Sequence, residues 1–467
     1  ALRGERVYHL EGLRCPDEGQ IAETGPGALA LFLQRAREVD RRFACENGEL
    51  EAAGHICRLV EGLPLAVELA AAWAPLRSCR EIAAEVEGGL QVLAANVRGT
   101  GDRQSSVSAA FEPSWRRLGR EEQIAFAGLA VFRGGFDGPA SLAVAGAERP
   151  VLERLAERSL LRHDRVGRYT LHSLLRQYAE AKLSEDAGKL EGHERRHAAY
   201  YAELLARRGP ALRDGRQMAA LAEVGLDWEN ARRAWMVACA RGWTDLLSAA
   251  LDGLCEVLSI RGRYQEGLSL LELAAQGLGG DARAQGELTG RLLVWQGTMC
   301  LHQGMYDNAR QRLRDGCRRL CGTQAVRVKV MAILGLGRTA DFEGQARRAE
   351  RLAALAVSWA RASGDTWALA CSLGFYGSLV KQGGRPQEAW AILQEGVATG
   401  RAVGDRRCLT VSLSALADIA ADHGDYGQAA ELYRECLDLG RELGDRYREG
   451  VHLNNLGTVA HLAGNLS

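Results

Sequence analysis

Two pairs of side chains have the spacing of metal ligands on one helix face. Cys317 and Cys321 lie four residues apart, and so do His193 and His197. Residues at this spacing are neighbours on a helix, so each pair could supply half of a metal site. Neither pair is accompanied by further ligands in register. We therefore predict no metal, and we expect the two histidines to lie on a solvated face.

The 12 cysteines are scattered, and none falls in a C-x-x-C pair. This usage is typical of free, mostly buried thiols in a reducing compartment. No apolar run approaches the ~20 residues that a membrane span needs. The first residues, 1–6, do not have the pattern of a signal peptide. We expect a cytoplasmic protein with no membrane partner.

The residue patterns of the common catalytic sites do not occur in the chain. There is no G-x-x-x-x-G-K-[ST], no G-x-S-x-G and no H-E-x-x-H. The first of these places a lysine on the β- and γ-phosphates of a nucleotide, and the glycine clusters at 25–27 and 88–89 are not followed by that lysine. We predict no catalytic residues, and we expect that this chain as it stands is not an enzyme.

The charge balance gives no general attraction to nucleic acid. Lys+Arg and Asp+Glu both number 59, so the net charge is zero. One basic stretch, at Arg154, Arg158, Arg162, Arg165, Arg168 and Arg176, is diluted by Glu153, Glu157 and Asp164. We do not expect direct nucleic-acid binding.

Small residues recur with a 40-residue period in the second half of the chain. One column is Gly304, Gly344, Gly384, Gly424 and Gly464; a second is Gly297, Gly337, Gly377, Ala417 and Gly457; a third is Ala309, Ala349, Ala389 and Ala429. Self-similarity at a fixed period of this size indicates a solenoid. Glycine inside a helix is unfavourable, so the second column indicates that two helices approach closely.

These columns resemble the tetratricopeptide repeat, in which two helices form each unit. We predict a repeat array over 244–467, with five units and the first helix of a sixth, so that the last unit is incomplete. Such an array is an α-solenoid, and the predicted fold class is mainly all-α. The first helix of each unit lines the concave surface in this repeat. The resemblance thus implies inner ligand-binding positions at Thr298, His302, Arg338, Asp341, Ser378, Lys381, Gln382, Asp418, Asp422 and His461.

The first half of the chain divides into further segments. Residues 23–100 have the pattern of a helical domain that contains Gly62-Leu63-Pro64-Leu65-Ala66. Residues 101–183 predict a winged helix, because helical segments are followed by an alternating hairpin at 160–171 and then another helix. Residues 184–243 predict a helical connector whose aromatic side chains belong to the core.

Two motifs in this half resemble those of the signal transduction ATPases with numerous domains, the STAND family. They are Gly62-Leu63-Pro64-Leu65-Ala66 and Leu171-His172-Ser173, and their order before a repeat array also fits. In that family a nucleotide-binding domain precedes them, so the resemblance implies that residues 1–22 are the end of a truncated one. The intact parent would be an ATPase that binds ADP or ATP, whereas we expect none bound by this fragment.

The resemblance implies cofactor-binding roles for Pro64 and His172. Pro64 would pack against the nucleotide, and His172 would reach the β-phosphate of ADP and hold the closed state. Ser173 departs from the family, which often has Asp there. From the residues alone, Pro64 is also explained as the favoured first residue of a helix, and His172 as a satisfied histidine at a strand–helix junction.

The function that follows is regulation and sensing. The repeats would bind an inducer, which could be a peptide, a protein or a polar small molecule. The first half would dock on the chain's own nucleotide-binding domain, and the active intact protein would form an oligomer. Two alternatives stay open, namely a repeat scaffold for protein–protein interaction, or part of a transcription activator with a separate DNA-binding effector.

Overall fold

The computed structural model describes residues 12–16, 27–39, 43, 48–60, 62, 64–71, 73–74, 77–88, 112, 114–158, 160–164, 166–278 and 286–464. The chain forms two compact units, residues 1–196 and 197–467. The described residues are helical apart from one short hairpin, so the predicted all-α fold class is confirmed. No helix within these ranges is long and apolar enough to cross a membrane.

The predicted division of the chain into five parts stays a prediction. Most of the predicted nucleotide-domain remnant, 1–22, lies outside the described residues. The same holds for 89–111, which contains the predicted limit between the helical domain and the winged helix.

Four helices build the first part of the first unit: α1 (Ala28–Val39), α2 (Glu49–Leu59), α3 (Pro64–Ala71) and α4 (Cys79–Gly88). Their core contains Phe32, Ile56, Val67 and Ile82, all fully buried. Phe32, Leu33 and Ala36 repeat at helical spacing on α1, which is why this helix buries one face.

The second part of the first unit combines helices with a hairpin. Its elements are α5 (Arg120–Gly128), α6 (Gly138–Ala145), α7 (Arg149–Glu157), β1 (Arg162–His163), β2 (Tyr169–Thr170) and α8 (Ser173–Ser184). The strands are antiparallel, and Phe136 adds a single bridge to Tyr169. In the turn, the carboxylate of Asp164 accepts from the amides of Val166 and Arg168, each at 2.9 Å.

Helix α9 (Ala187–Arg208) contains both histidines of the predicted solvated face. That expectation was wrong, because His193 and His197 are only 7% and 2% exposed. In the first unit the ring of His193 packs against Gly128, which has no side chain to exclude it. In the second unit the ring of His197 packs on Tyr201, with centroids 4.8 Å apart.

The second unit continues with α10 (Gln217–Leu226), α11 (Trp228–Arg241) and a series of helix pairs. These are α12 (Thr244–Ile260) with α13 (Tyr264–Gly277), α14 (Gly286–His302) with α15 (Tyr306–Arg319), α16 (Val326–Phe342) with α17 (Ala346–Ser363), α18 (Thr366–Gln382) with α19 (Pro386–Val403), and α20 (Arg406–Asp422) with α21 (Tyr426–Leu443), followed by α22 (Arg446–Leu462). From α14 to α22, each first helix begins 40 residues after the beginning of the first helix of the preceding pair. The sequence period is therefore the structural period.

The glycine columns mark close contacts and turns, as the sequence predicted. A Cβ on Gly377 would lie 2.6 Å from the side chain of Leu393 on the partner helix, and one on Gly297 would lie 2.6 Å from Leu313. Gly384 has φ of 78°, the left-handed backbone that ends the first helix of its pair. Small residues in register thus let the two helices of a pair approach.

Cys371 and Cys408 correct the expectation that every thiol is free. They lie on the neighbouring helices α18 and α20 and form a disulfide, with their Cα atoms 4.9 Å apart. Most of the other described cysteines are buried.

Candidate functional site

The first candidate region is the turn that leads into α3. Gly62 has φ of 66°, and its carbonyl accepts from the amide of Leu13 at 2.8 Å. A Cβ on Gly62 would lie 2.0 Å from the carbonyl oxygen of Leu13. Only glycine suits this position, for two independent reasons. Pro64 follows as the first residue of α3 and is exposed.

The strand–helix junction at His172 lies against the same region. His172 is 8% exposed and directly precedes α8. The hydroxyl of Ser173 donates to the carbonyl of Leu59, the last residue of α2, at a long 3.4 Å. The second motif segment, at 171–173, therefore contacts the end of the helix that comes three residues before the first motif segment. An Asp at position 173 would place a carboxylate against this carbonyl, since an ionised carboxylate only accepts hydrogen bonds.

The second candidate region is a cavity of about 140 Å³ on the inner face of the repeats. It is lined mainly by the first helices of successive pairs, with Tyr264 at the start of α13 and two residues at the start of α22. Its wall consists of Glu256, Ser259, Tyr264, Trp295, Thr298, Leu301, His302, Met331, Leu334, Gly335, Arg338, Trp367, Cys371, Arg407, Cys408, Val411, Asp445 and Arg448.

Three predicted ligand-binding residues, Thr298, His302 and Arg338, line this cavity. The other seven, Asp341, Ser378, Lys381, Gln382, Asp418, Asp422 and His461, do not. The cavity crosses the helices obliquely: its lining lies near the C-terminal end of α14, the middle of α16, and the N-terminal ends of α18 and α20. Equivalent positions therefore need not all line the cavity: Thr298 and Arg338 do, but their counterpart one unit later, Ser378, does not.

Several of the remaining predicted residues form a separate cluster. The ammonium group of Lys381 lies 3.4 Å from the carboxylate of Asp418 and 3.2 Å from that of Asp422. Tyr433 donates its hydroxyl to Asp418. The hydroxyl of Ser378 donates to the carbonyl of Gly374 at 2.8 Å. These polar groups satisfy one another within the array.

A buried ion-pair network forms one end of the cavity. Glu256, 2% exposed, lies 3.2 Å from the guanidinium of Arg213 and 2.8 Å from that of Arg407. Arg407 is also 3.8 Å from Asp405, which accepts from the indole of Trp367 at 2.9 Å. Burial opposes the charge of Arg407, but Asp405 and Glu256 outweigh it and raise the Arg407 pKa. The network joins residues that are 151 positions apart.

The middle of the cavity contains an aromatic stack and a further arginine. Tyr264 stacks on His302 with ring centroids 4.5 Å apart and planes 6° from parallel. Burial in the groove, with Arg338, Arg448 and Arg407 nearby, lowers the pKa of His302 to about 3. The imidazole is therefore neutral at neutral pH. Burial, together with Arg448, also lowers the pKa of Arg338.

Three lining residues were not predicted from the sequence: Glu256, Arg407 and Arg448. One signal was present in the turns at Asp365, Asp405 and Asp445, each 40 residues apart. Their carboxylates cap the next helix, and Asp365 and Asp405 also bind a side chain of the preceding unit, Arg327 at 2.6 Å and Trp367 at 2.9 Å. The ends of the helices, and not only their inner faces, thus contribute to the cavity.

Comparisons with known sequences reach only part of the chain, and no protein-family model matches it. A Mycobacterium tuberculosis protein provisionally named as an HTH-type transcriptional regulator is 36% identical over 245 residues, which is 50% of this chain and 26% of that protein. An uncharacterized protein of the same species is 34% identical over 169 residues, 34% of this chain and 43% of that protein. The chain thus spans less than half the length of either relative.

Two solved structures are similar to this chain at low identity and low TM-score. One is a STAND protein with a tetratricopeptide repeat sensor from Pyrococcus horikoshii, with a TM-score of 0.46 and 15% identity over 93% of this chain and 63% of that chain. The other is a Rap protein complexed with competence and sporulation factor, with a TM-score of 0.40 and 13% identity over 57% of this chain and 86% of that chain. Neither likeness identifies a ligand or an activity for this chain.

Proposed function

We propose that this chain is the regulatory and inducer-sensing part of a STAND signalling ATPase. In this proposal the repeats bind an inducer, and the segments around Pro64 and His172 hold the nucleotide-binding domain of the intact protein in its ADP-bound, closed state. The helices and hairpin from α5 to α8 act as the winged helix of that family and dock on the nucleotide-binding domain.

The observation that carries this proposal is the contact between the residue after His172 and the helix that precedes the proline motif. The Ser173–Leu59 contact places the residue after His172 beside the end of α2, a few residues before Pro64. A proline and a histidine that act on one nucleotide need to lie in one region, and neither the helix-start nor the satisfied-histidine explanation requires this. Gly62 supports the same interpretation, because its backbone packs directly against that of Leu13 and fixes the turn before Pro64.

Sensing requires a ligand that binds the two states of the protein with different affinity. The cavity in the repeats supports this part of the proposal, because its wall comes from five successive pairs, from the start of α22 and from the contact between α20 and α12. A ligand in this cavity touches elements that are far apart in the sequence. It can therefore favour one curvature of the array over another.

The proposal is tested by His172→Ala in the full-length protein. We expect the wild-type protein to retain ADP through purification, and the variant to lose most of it and to show higher basal signalling activity. Bound nucleotide is quantified by chromatography after denaturation. His163→Ala is the matched control, because His163 is an exposed histidine on the adjacent hairpin. Equal ADP in wild-type and H172A protein contradicts the proposal.

A second candidate function is part of a transcription activator with a separate DNA-binding effector. It is favoured by the 36% identity over 245 residues to the HTH-type regulator. One arginine of the basic stretch in the first unit, Arg154, pairs with Glu121 and Glu122, each at 3.0 Å, so its charge is already neutralised. We expect the full-length protein to bind its own promoter region in a mobility-shift assay, and this chain not to bind it.

The plain scaffold makes a different prediction in the same experiments. Its repeats would capture a partner protein, but neither partner binding nor His172→Ala would alter the amount of ADP retained. The ADP measurement therefore separates the scaffold from both switching proposals.

A further inference from the structure

The arginines around the cavity differ in whether they have a carboxylate partner. Arg407 and Arg213 share Glu256, at 2.8 and 3.2 Å, and Arg407 also lies 3.8 Å from Asp405, so these two arginines have two carboxylates. Arg448 lies 3.2 Å from Asp445. Arg338 lies in the same wall, yet no carboxylate among the described residues is within ion-pair distance of it. The cavity therefore carries one positive charge that the protein does not neutralise.

The contact that Arg338 does make leaves its charge available. Its guanidinium lies over the ring of Phe375, 5.6 Å from the centroid. An aromatic face attracts a cation, but it supplies none of the acceptors that the guanidinium donors need. A planar anion can accept two of those donors at once, and a carboxylate has this geometry.

The rest of the wall is suited to an uncharged body. Trp295, Leu301, Met331 and Leu334 supply apolar surface, and the Tyr264–His302 stack adds a flat face. His302 contributes no charge at neutral pH. The volume of about 140 Å³ is close to that of an engineered cavity of roughly 150 Å³ that holds benzene.

We propose that this cavity binds a small organic acid, with its carboxylate on Arg338 and an apolar body of about the size of one ring against Trp295 and Leu334. The single unneutralised cation matches a single negative charge, which favours a monocarboxylate over a phosphate dianion. The limited volume favours a small molecule over a folded partner. This inference rests on the proposed sensing function, because it assigns a chemical class to the inducer.

The test is calorimetric titration of the 467-residue chain with benzoate, phenylacetate and octanoate, each compared with its neutral amide, and with inorganic phosphate. We expect at least one carboxylate to bind with a stoichiometry of one. We expect the affinity of its neutral amide to be lower by about tenfold or more, as for the loss of a hydrogen-bonded charge. Arg338→Gln should weaken carboxylate binding by a similar factor, and Arg338→Lys, which keeps the charge, by less.

Arg347→Gln is the matched control. Arg347 lies on α17 in the same helix pair, is exposed, and has no ion pair among the described residues. We expect it to bind the carboxylates like the wild type. Circular dichroism tests whether R338Q is folded. If it is not, the binding affinity of R338K decides the result.

Several outcomes overturn the inference: no carboxylate binds, acid and amide bind equally, phosphate alone binds, or R338Q binds like the wild type. These differ from failure of the proposed function. If carboxylates bind through Arg338 but full-length H172A retains its ADP, the site stands and the switch does not. If no carboxylate binds and H172A loses its ADP, the switch stands without this ligand class.

Discussion

The two units use glycine in different ways. In the second unit, which contains the repeats and is called the repeat unit below, Gly297 and Gly377 each face a leucine of the partner helix at the same register. One close contact therefore recurs along the array. In the first unit, Gly62 occurs once, at a left-handed turn pressed against the backbone of Leu13. A repeated contact distributes stability over many similar interfaces. A single contact concentrates it at one place, where no neighbouring copy compensates for its loss.

The buried network at Glu256 is an exception within the repeat unit, because it is a single contact between distant helices. Removing the charge with Glu256→Gln leaves Arg213 and Arg407 without their shared carboxylate. We expect this change to destabilise the second unit by about 3 to 5 kcal/mol, the usual cost of breaking a buried ion pair. Urea unfolding measures the effect.

The control for E256Q is Glu431→Gln, on the exposed face of α21. We expect it to change stability by less than about 0.5 kcal/mol. If both variants unfold at the same urea concentration, the network does not hold α20 to α12.

Gly62→Ala tests the single contact of the first unit. The new Cβ would meet the Leu13 carbonyl, and the residue would also have to keep a positive φ. We expect a loss of about 2 to 3 kcal/mol in the first unit, from strain at a special backbone position. Scanning calorimetry should show a lower first-unit transition and an unchanged repeat-unit transition. A shift of both transitions together would mean that the units do not unfold separately.

Gly377→Ala and Gly457→Ala sharpen the comparison inside the repeat column. At Gly377 the new methyl group would overlap Leu393, whereas at Gly457 nothing lies within 4 Å. We expect G377A to destabilise by about 1 to 2 kcal/mol, through overpacking that exceeds the gain in helix propensity. G457A should stabilise by up to about 1 kcal/mol, because only the propensity gain applies. Equal effects of the same sign would show that the column does not act through contact with the partner helix.

The smallest expected effect is the pH dependence of the first unit through His193. Burial, with a smaller effect of Arg196, lowers the pKa of His193, while the carbonyl of Lys189 acts in the opposite direction. The unfolded chain then binds the proton more readily, so stability is present above the unfolded pKa and is lost as the pH falls. We expect the first-unit melting temperature to fall between pH 7.5 and 5.5, and to fall less in His193→Gln. A fall of the same size in both proteins would assign the pH dependence to other groups.

Periodicity predicted the repeat unit well because its contacts repeat. The 40-residue columns located the helix pairs, the turns and the close approach at Gly377. The same reasoning correctly predicted that Thr298, His302 and Arg338 line the cavity. It also predicted Ser378 and Asp418, because they are equivalent to Arg338 in the next two units, but the cavity crosses the helices obliquely and these two residues do not line it. The contact between Glu256 and Arg407 could not be predicted from the 40-residue period, because it depends on the curvature of several units.

The first unit was predicted less completely for a physical reason. Its packing contacts occur once, so a motif such as the one at Gly62 is the main signal that a sequence can offer. The burial of His193 depends on the absence of a side chain at Gly128, 65 positions earlier. The spacing of His193 and His197 gave no indication of that contact.

The most direct test of the switching account is the coding sequence upstream of Ala1 in the gene. The account predicts a phosphate-binding loop and an acidic Mg²⁺-binding strand within roughly two hundred codons, a normal domain length. A nucleotide would then be available for Pro64 and His172 to hold. An upstream sequence without such a loop would contradict the account and leave a repeat protein whose first unit has a purely structural role.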